Sequence, residues 1–356
     1  MNANSILVVG IGQAGNNIAE EMAKQNPKIS SVCINSSETD METLEHVKDK
    51  VVLPAKGGAN RDRNNAKQFL KDEIYLVVDA INSYSSKEHI YIAFSLGGGT
   101  GSGITPMLLQ VLANTMPNRN FNLIGVLPSE KEGRKAQANT VECWQELMTL
   151  ENTNIGAIYL LDNNKRNSKQ TINREFAKLF NKYLKMTKAH IDGVIDSSEL
   201  TELGTTTGLT GIYDIDDYLD RPDEIDAECL KNSIFVLNAR PIKLVGMTAP
   251  KGFNKEAVVN RLKHTGEFYE GFVEDEEAMM VLAGVKMTKK AVEHAYEAYK
   301  YKTELMELNQ KEMEEEPDME FDLSIDKPKN VKAKAEAKSL DELVNSNDFW
   351  NHIMNM

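Results

Sequence analysis

Residues 91–106 read YIAFSLGGGTGSGITP, an apolar β-type run that breaks on Gly97-Gly98-Gly99-Thr100-Gly101-Ser102-Gly103 and passes through Ile104, Thr105 and Pro106 into a helix. The uninterrupted apolar run of Tyr91 to Phe94 is that of a strand covered on both faces, as in a parallel sheet. The loop behind it offers many backbone N–H groups, two hydroxyls and a proline near the first turn of a helix. Together these make a nest for an anion at the positive end of a helix dipole. A P-loop requires a lysine that is absent here. The competing reading is a pliable glycine and serine turn, and a second loop of the same kind argues against it.

That second loop follows Ser5 to Val9, another apolar strand run, and reads Gly10-Ile11-Gly12-Gln13-Ala14-Gly15 before a helix over Asn16 to Lys24. Its glycines let backbone approach a phosphate at a helix N-terminus. A dinucleotide-binding domain shares this turn but wants an acid at the end of its second strand for the ribose. The chain there reads Val32-Cys33-Ile34-Asn35, which counts against a nicotinamide cofactor. Strand-like runs at Ser31 to Asn35, His89 to Phe94, Asn122 to Leu127 and Ala157 to Leu161 alternate with helical segments. This alternation predicts a doubly wound parallel sheet of α/β class.

Apolar residues then recur at helical spacing from Thr171 to Ile191, predicting a long helix with a wide buried face. Strand-like pieces at Leu209 to Ile215, Ser233 to Leu237, Lys243 to Thr248 and Ala278 to Val285 predict a smaller, mixed α/β second domain. Thr288 reads as the N-cap of a further long helix through Met306. The expected division is 1–170 for nucleotide binding, 171–193 for the central helix, 194–310 for a second domain and 311–356 for a tail. Lys311 to Asp322 is acidic and Lys327 to Lys338 is rich in lysine, so neither buries enough apolar area to hold a fold, and a flexible tail is expected. The last 18 residues carry a possible capping box, Ser339 with Glu342, and apolar residues suited to one helix face. That segment is either a docking peptide or a last helix packed on the body.

With 356 residues, 41% hydrophobic and 27% charged, the chain is long enough for two domains. A formal net charge of −13 argues against direct binding of nucleic acid, whose partners carry a basic excess. The three cysteines, Cys33, Cys143 and Cys229, form no metal motif and read as buried apolar groups, and the six histidines form no cluster. No signal peptide or membrane span is evident, so a cytoplasmic protein without a membrane partner is expected.

The GGGTGSG loop is similar to the signature phosphate loop of the tubulin and FtsZ superfamily, and VVGIGQAGNN resembles the superfamily's opening. Asn35-Ser36-Ser37, the KGGAN of Lys56 to Asn60 and the EGRKAQAN of Glu132 to Asn139 follow in family order. The resemblance runs over roughly Ser5 to Leu305, strongly through Asn181 and loosely beyond. It implies a GTPase with GTP or GDP on Gly12, Gln13, Ala14, Asn17, Gly58, Ala59, Asn60, Gly97, Gly98, Gly99, Thr100, Gly101, Ser102, Glu132 and Arg134. Residues 56–60 would then sense the γ-phosphate. Asn163 resembles the asparagine on the guanine or ribose side and Asn181 the one reading the guanine edge, a task an amide suits because it both donates and accepts. The competing reading of either is an ordinary exposed polar residue. Mg²⁺ would be held mainly through phosphates and water.

Ile195-Asp196-Ser197-Ser198-Glu199-Leu200 resembles the family's catalytic loop, which completes the nucleotide site of the next subunit in a head-to-tail protofilament. Asp196 and Glu199 are thereby implied as catalytic; the competing reading is a helix N-cap plus a solvated acid. Val194 stands where FtsZ typically has asparagine. The mixture of motifs looks most like the TubZ branch, filament proteins that segregate plasmid or phage DNA through a DNA-bound adaptor, TubR, contacted by the tail. A divergent FtsZ, a phage tubulin that positions virions or genomes, and a non-polymerising GTP-binding regulator are the alternatives.

Overall fold

The computed structural model describes residues 1–54, 58–150, 155–187, 195–237, 241–262, 264–273 and 277–315, with two short paired segments at 338–339 and 345–346. Strands β1 (Ile6–Ile11), β2 (Ser30–Asn35), β3 (Asp49–Val52), β4 (His89–Ser95), β5 (Asn120–Leu127), β6 (Ile155–Asp162) and β7 (Gly208–Asp214) are followed by β8 (Leu244–Ala249), β9 (Phe268–Phe272) and β10 (Met279–Val285). All ten share one sheet in the order β3-β2-β1-β4-β5-β6-β7-β10-β8-β9. Pairing is parallel from β3 through β7, and β10 runs antiparallel to both β7 and β8. The first six strands therefore have the doubly wound order, with its reversal between β1 and β4. Both glycine loops leave the sheet at that switch point, where the crevices of open α/β sheets form.

The apolar runs explain the strands: every residue of β1, β6 and β10 is buried, as helices on both faces require. Helices α1 (Gly12–Gln25), α2 (Arg63–Asp72), α3 (Ile74–Asn82), α4 (Thr100–Thr115), α5 (Arg134–Thr149) and α6 (Lys169–Tyr183) cover the N-terminal strands. Helix α7 (Ser197–Thr205), a short α8 (Leu230–Asn232), α9 (Lys255–Arg261) and α10 (Glu293–Glu315) follow. No helix among the described residues is long and apolar enough to cross a membrane.

Several local expectations change. Ser233 to Leu237 forms no strand; Phe235 makes a single bridge to Leu161 of β6. Strands β3 and β9 were not expected from the sequence. The central helix ends at Tyr183, with turns through Thr187, and residues 188–194 lie outside the described residues. Thr288 precedes a 3-10 turn (Lys289–Val292) that leads into α10, and that helix runs on through Glu315. Ser339 belongs to a two-residue strand paired with Asn345–Ser346 rather than to a helix N-cap, while Glu342 lies outside the described residues.

Candidate nucleotide site

The two glycine loops meet at the C-terminal edge of the sheet and line a cleft of about 350 Å³. Gly12, Gln13 and Ala14 form one wall and Gly97, Gly98, Gly99, Thr100 and Gly101 another. Most of these glycines serve the contact between loops. A Cβ on Gly101 would stand 3.0 Å from the Ile11 carbonyl oxygen, and Gly12, at φ +69°, lies 3.1 Å by the same measure from the Gly101 nitrogen. Gly98 differs, because its nearest neighbours would be 3.9 Å away. Space above Gly98 is thus open, as backbone facing a ligand needs. The first residues of α1 and α4 both border the cleft, so two sets of unpaired helical N–H groups and two positive dipole ends converge on it.

Gly58, Ala59, Asn60 and Arg61 close the cleft from the α2 side. Asn60 and Arg61 hold φ of 48° and 55°, a left-handed conformation that costs a residue with a side chain about 1 kcal/mol or more. Asp62 then caps α2 by accepting the N–H groups of Asn64 and Asn65 at 2.9 and 3.1 Å. Lys56 and Gly57 of the KGGAN stretch lie outside the described residues. Opposite this wall, the Glu132 carboxylate takes Lys169 Nζ at 2.7 Å and stands 3.8 Å from Arg61 Nη2, holding two cations at the rim. Asn35, Ser36, Ser37 and Asp40 complete the lining, and Ser36 Oγ lies 3.0 Å from Thr100 Oγ1.

Not every expected residue reaches the cleft. Asn17 is half-buried on α1 and outside the lining. Ser102 is fully buried and its hydroxyl donates to the Gly98 carbonyl, supporting the loop from below. Arg134 lies over the Tyr299 ring, 5.8 Å from its centroid. Asn163 follows β6 outside the lining, and its side-chain oxygen is buried with no hydrogen-bond partner among the described residues. Asn181 requires correction: twelve residues beyond Lys169, it sits about 18 Å along α6 from the cleft, and its Oδ1 accepts Asn26 Nδ2 at 2.9 Å, at the far end of α1. Asn173, one turn beyond Lys169 and buried, is the asparagine that shares a face with that cleft-lining residue. The signal that could have found it is the helix start at Lys169, from which Asn173 follows at i+4.

The acids of the Asp196–Glu199 loop stand at the other end of the molecule. Asp196 Oδ1 accepts the N–H groups of Ser198 and Glu199 at 2.6 and 2.8 Å, and Glu199 Oε2 accepts the Asp196 N–H at 2.9 Å. This is a reciprocal capping box on α7. The Ser197 carbonyl accepts Met1 N at 2.6 Å. Met1 precedes β1, whereas the cleft follows β1, so about 20 Å of strand separates the acids from the glycines.

Fold order, switch-point cleft and paired glycine loops together define a doubly wound α/β protein built to hold a phosphorylated ligand. Residues 5–168 match the model of the tubulin/FtsZ family GTPase domain. A tubulin-like protein TubZ of a Clostridium botulinum C phage is 30% identical over 295 residues, which span 82% of this chain and 81% of that protein. The chain belongs to the tubulin/FtsZ family of GTPases. The crystal structure of TubZ from Clostridium botulinum phage c-st superposes with a TM-score of 0.78 at 29% identity, covering 85% of this chain and 99% of that one. A GTPγS-form protofilament structure of TubZ from Bacillus thuringiensis serovar israelensis shares the fold, with a TM-score of 0.72 at 16% identity over 89% and 96% of the two chains.

Proposed function

We propose that the chain binds GTP in the switch-point cleft, assembles head to tail, and hydrolyses each nucleotide with acids supplied by the adjoining copy. The observation that carries this reading is the separation of the two halves of the site. Glycine loops occupy the C-terminal edge of the sheet, and Asp196 and Glu199 lie at its N-terminal edge, beside Met1. Acids so placed cannot reach their own cleft, but stacking two copies in the same orientation brings one copy's acids to the next copy's nucleotide. Such a contact is heterologous and propagates into a filament.

Helix α10 supports the same axis. Trp144 donates to the Thr288 carbonyl at 3.0 Å, and Arg134, at the cleft end of α5, meets Tyr299. Helix α10 therefore runs antiparallel to α5 and toward the nucleotide pole. Residues 304–311 are all exposed, with Leu305, Met306 and Leu308 among them. A projecting helix with uncovered apolar side chains suits contact with the copy stacked above. That TubZ from Bacillus thuringiensis forms a protofilament with GTPγS agrees with this reading.

Within the cleft, amides of residues 12–14 and 97–101 take the phosphates, while Lys169 and Asn173 meet the base and Glu132 the sugar side. Mg²⁺ would be held mainly through the phosphates and water, where it would neutralise phosphate charge. The attacking water is oriented by the carboxylates of the neighbouring copy, Glu199 foremost. The cargo is plasmid or phage DNA, reached through a DNA-bound adaptor of the TubR kind and the tail; the phage origin of the 30% identical relative favours this over division. The test of assembly is light scattering of the purified chain with GTP and Mg²⁺. Scattering that rises and decays as GTP is consumed, with turnover per copy increasing with concentration, is expected. Flat scattering with concentration-independent turnover would overturn the reading in favour of a monomeric regulator.

A further inference from the structure

Pro106 is the seventh residue of α4, well inside the helix. Proline has no N–H, so the carbonyl four residues earlier, that of Ser102, loses its intrahelical donor. Ser102 is fully buried, and a buried carbonyl left unpaired is costly. The missing donor comes from another helix: Arg63 Nη2 donates to the Ser102 oxygen at 3.1 Å. Arg63 is the first residue of α2, directly after the left-handed Asn60 and Arg61 and the capping Asp62.

The guanidinium is held by acids of α5. Arg63 Nη2 lies 2.5 Å from Glu146 Oε2 and Nη1 lies 3.1 Å from Glu142 Oε2, while Lys67 Nζ takes the other Glu146 oxygen at 2.9 Å. Arg63, Lys67 and Glu146 are all buried. Burial works against the Arg63 charge, yet Cys143, Glu146 and Glu142 around it more than compensate, and its affinity for the proton is raised above the ordinary value. A Cβ on Gly103 would stand 2.5 Å from the Arg63 carbonyl oxygen, so α2 and the phosphate loop touch backbone to backbone. Asn139 of α5 makes a second tie, donating to Arg61 O at 3.1 Å and Gly98 O at 3.0 Å.

We infer that Arg63 is a positioning residue that fixes the loop of residues 58–61 on the phosphate loop through the carbonyl that Pro106 frees, so that this loop discriminates a nucleoside triphosphate from a diphosphate. The inference rests on the proposed role of the cleft in binding GTP. The proline creates the acceptor, the α5 acids aim the guanidinium, and the strained residues next to it are held in register with Gly98.

The experiment compares binding of GTPγS and GDP by calorimetry in the full chain and in Arg63→Met. In that variant Lys67 still pairs Glu146, so no buried acid is stranded. Loss of one charge-assisted hydrogen bond predicts that GTPγS binding weakens about tenfold, with GDP binding nearly unchanged. A parallel loss for both nucleotides, or none for either, overturns the inference. Absence of binding of either nucleotide to the unaltered chain would instead refute the site itself. Pro106→Ala in the Arg63→Met background returns the intrahelical N–H to Ser102. Thermal stability should recover while discrimination stays low; recovery of both would reduce Arg63 to repair of the helix and end the proposal. Should Arg63→Met fail to fold, replacing Arg63, Lys67 and Glu146 together by methionine removes the whole buried ionic cluster, a change proteins often tolerate, and the same nucleotide ratio decides.

Discussion

Replacing Glu199 with glutamine separates catalysis from folding. Its Oε2 accepts the Asp196 N–H at 2.9 Å, and glutamine makes the same contact, because a capping box accepts either residue at that place. The Met1 ammonium keeps its bonds to the Ser197 carbonyl at 2.6 Å and the Thr201 hydroxyl at 2.5 Å, so stability should change by no more than about 0.5 kcal/mol. The lost carboxylate predicts a fall in turnover of about 100-fold or more, the usual scale for a general base. GTP binding should be untouched, since the acid stands about 20 Å from its own glycine loops. Filaments should therefore form and keep their GTP. A sharper form mixes this variant with Gly98→Trp, whose indole would fill the cleft. Neither is active alone, yet in a random equimolar head-to-tail polymer about one quarter of the contacts join an intact cleft to an intact acid, and about that share of activity should return. Copolymers that form without regaining activity, or an undiminished Glu199→Gln enzyme, would refute the trans arrangement.

The glycines divide into two groups by the space around them. Gly98→Ala should fold normally and weaken nucleotide binding in a titration, whereas Gly15→Ala, whose Cβ would fall 2.0 Å from the Ala93 oxygen, should lower Tm sharply or abolish folding. Asn173→Ala should weaken GTP binding about tenfold, and Asn181→Ala should leave affinity unchanged while loosening α6 from α1, read as a lower Tm. Equal affinities for those two variants would show that the guanine contact is elsewhere. Glu20 is partly desolvated, which favours its neutral form, but the His46 ring and the N–H groups of His46, Glu45 and Val47 outweigh that and hold its pKa below the usual 4.5. Its stabilising share is then present above about pH 4.5 and lost as pH falls through the depressed folded value, so Glu20→Gln should flatten the acid limb of a Tm against pH plot.

The centre of the fold was legible because it is built from signals that local sequence carries. Strands covered on both faces, such as β1 and β4, are unbroken apolar runs, and the glycines that end them mark the switch point. The edge strand β3 gave no such signal: Asp49-Lys50-Val51-Val52 buries only Val51. β9 alternates poorly and carries Gly271 within it. The cleft lining contributed by Asp40, Arg61 and Lys169 depends on three segments distant in sequence, and spacing within any one of them says nothing of their meeting. Asn181 was assigned by likeness alone, although a helix start at Thr171 already puts it about 15 Å along the axis. With α6 beginning at Lys169, Asn173 is the asparagine on the face of that cleft-lining residue.

The two readings of the Asp196–Glu199 pair turn out to be compatible. A capping box is ordinarily a structural device, and here it is fully formed. Each carboxylate uses one oxygen for the cap, leaving Asp196 Oδ2 and Glu199 Oε1 without a hydrogen-bond partner among the described residues. Capping therefore immobilises the acids without consuming them. Asp196 is exposed and Glu199 half-buried at the pole opposite the cleft, where a neighbour's phosphates would arrive. A group held in place before its substrate comes avoids reorganisation when charge develops. On the proposed mechanism assembly would act as the switch, since the acids are held ready in each monomer and would lack only a nucleotide within reach. Turnover in dilute solution should accordingly vanish faster than nucleotide occupancy as the chain is diluted, and proportional loss of both would argue that hydrolysis needs no neighbour.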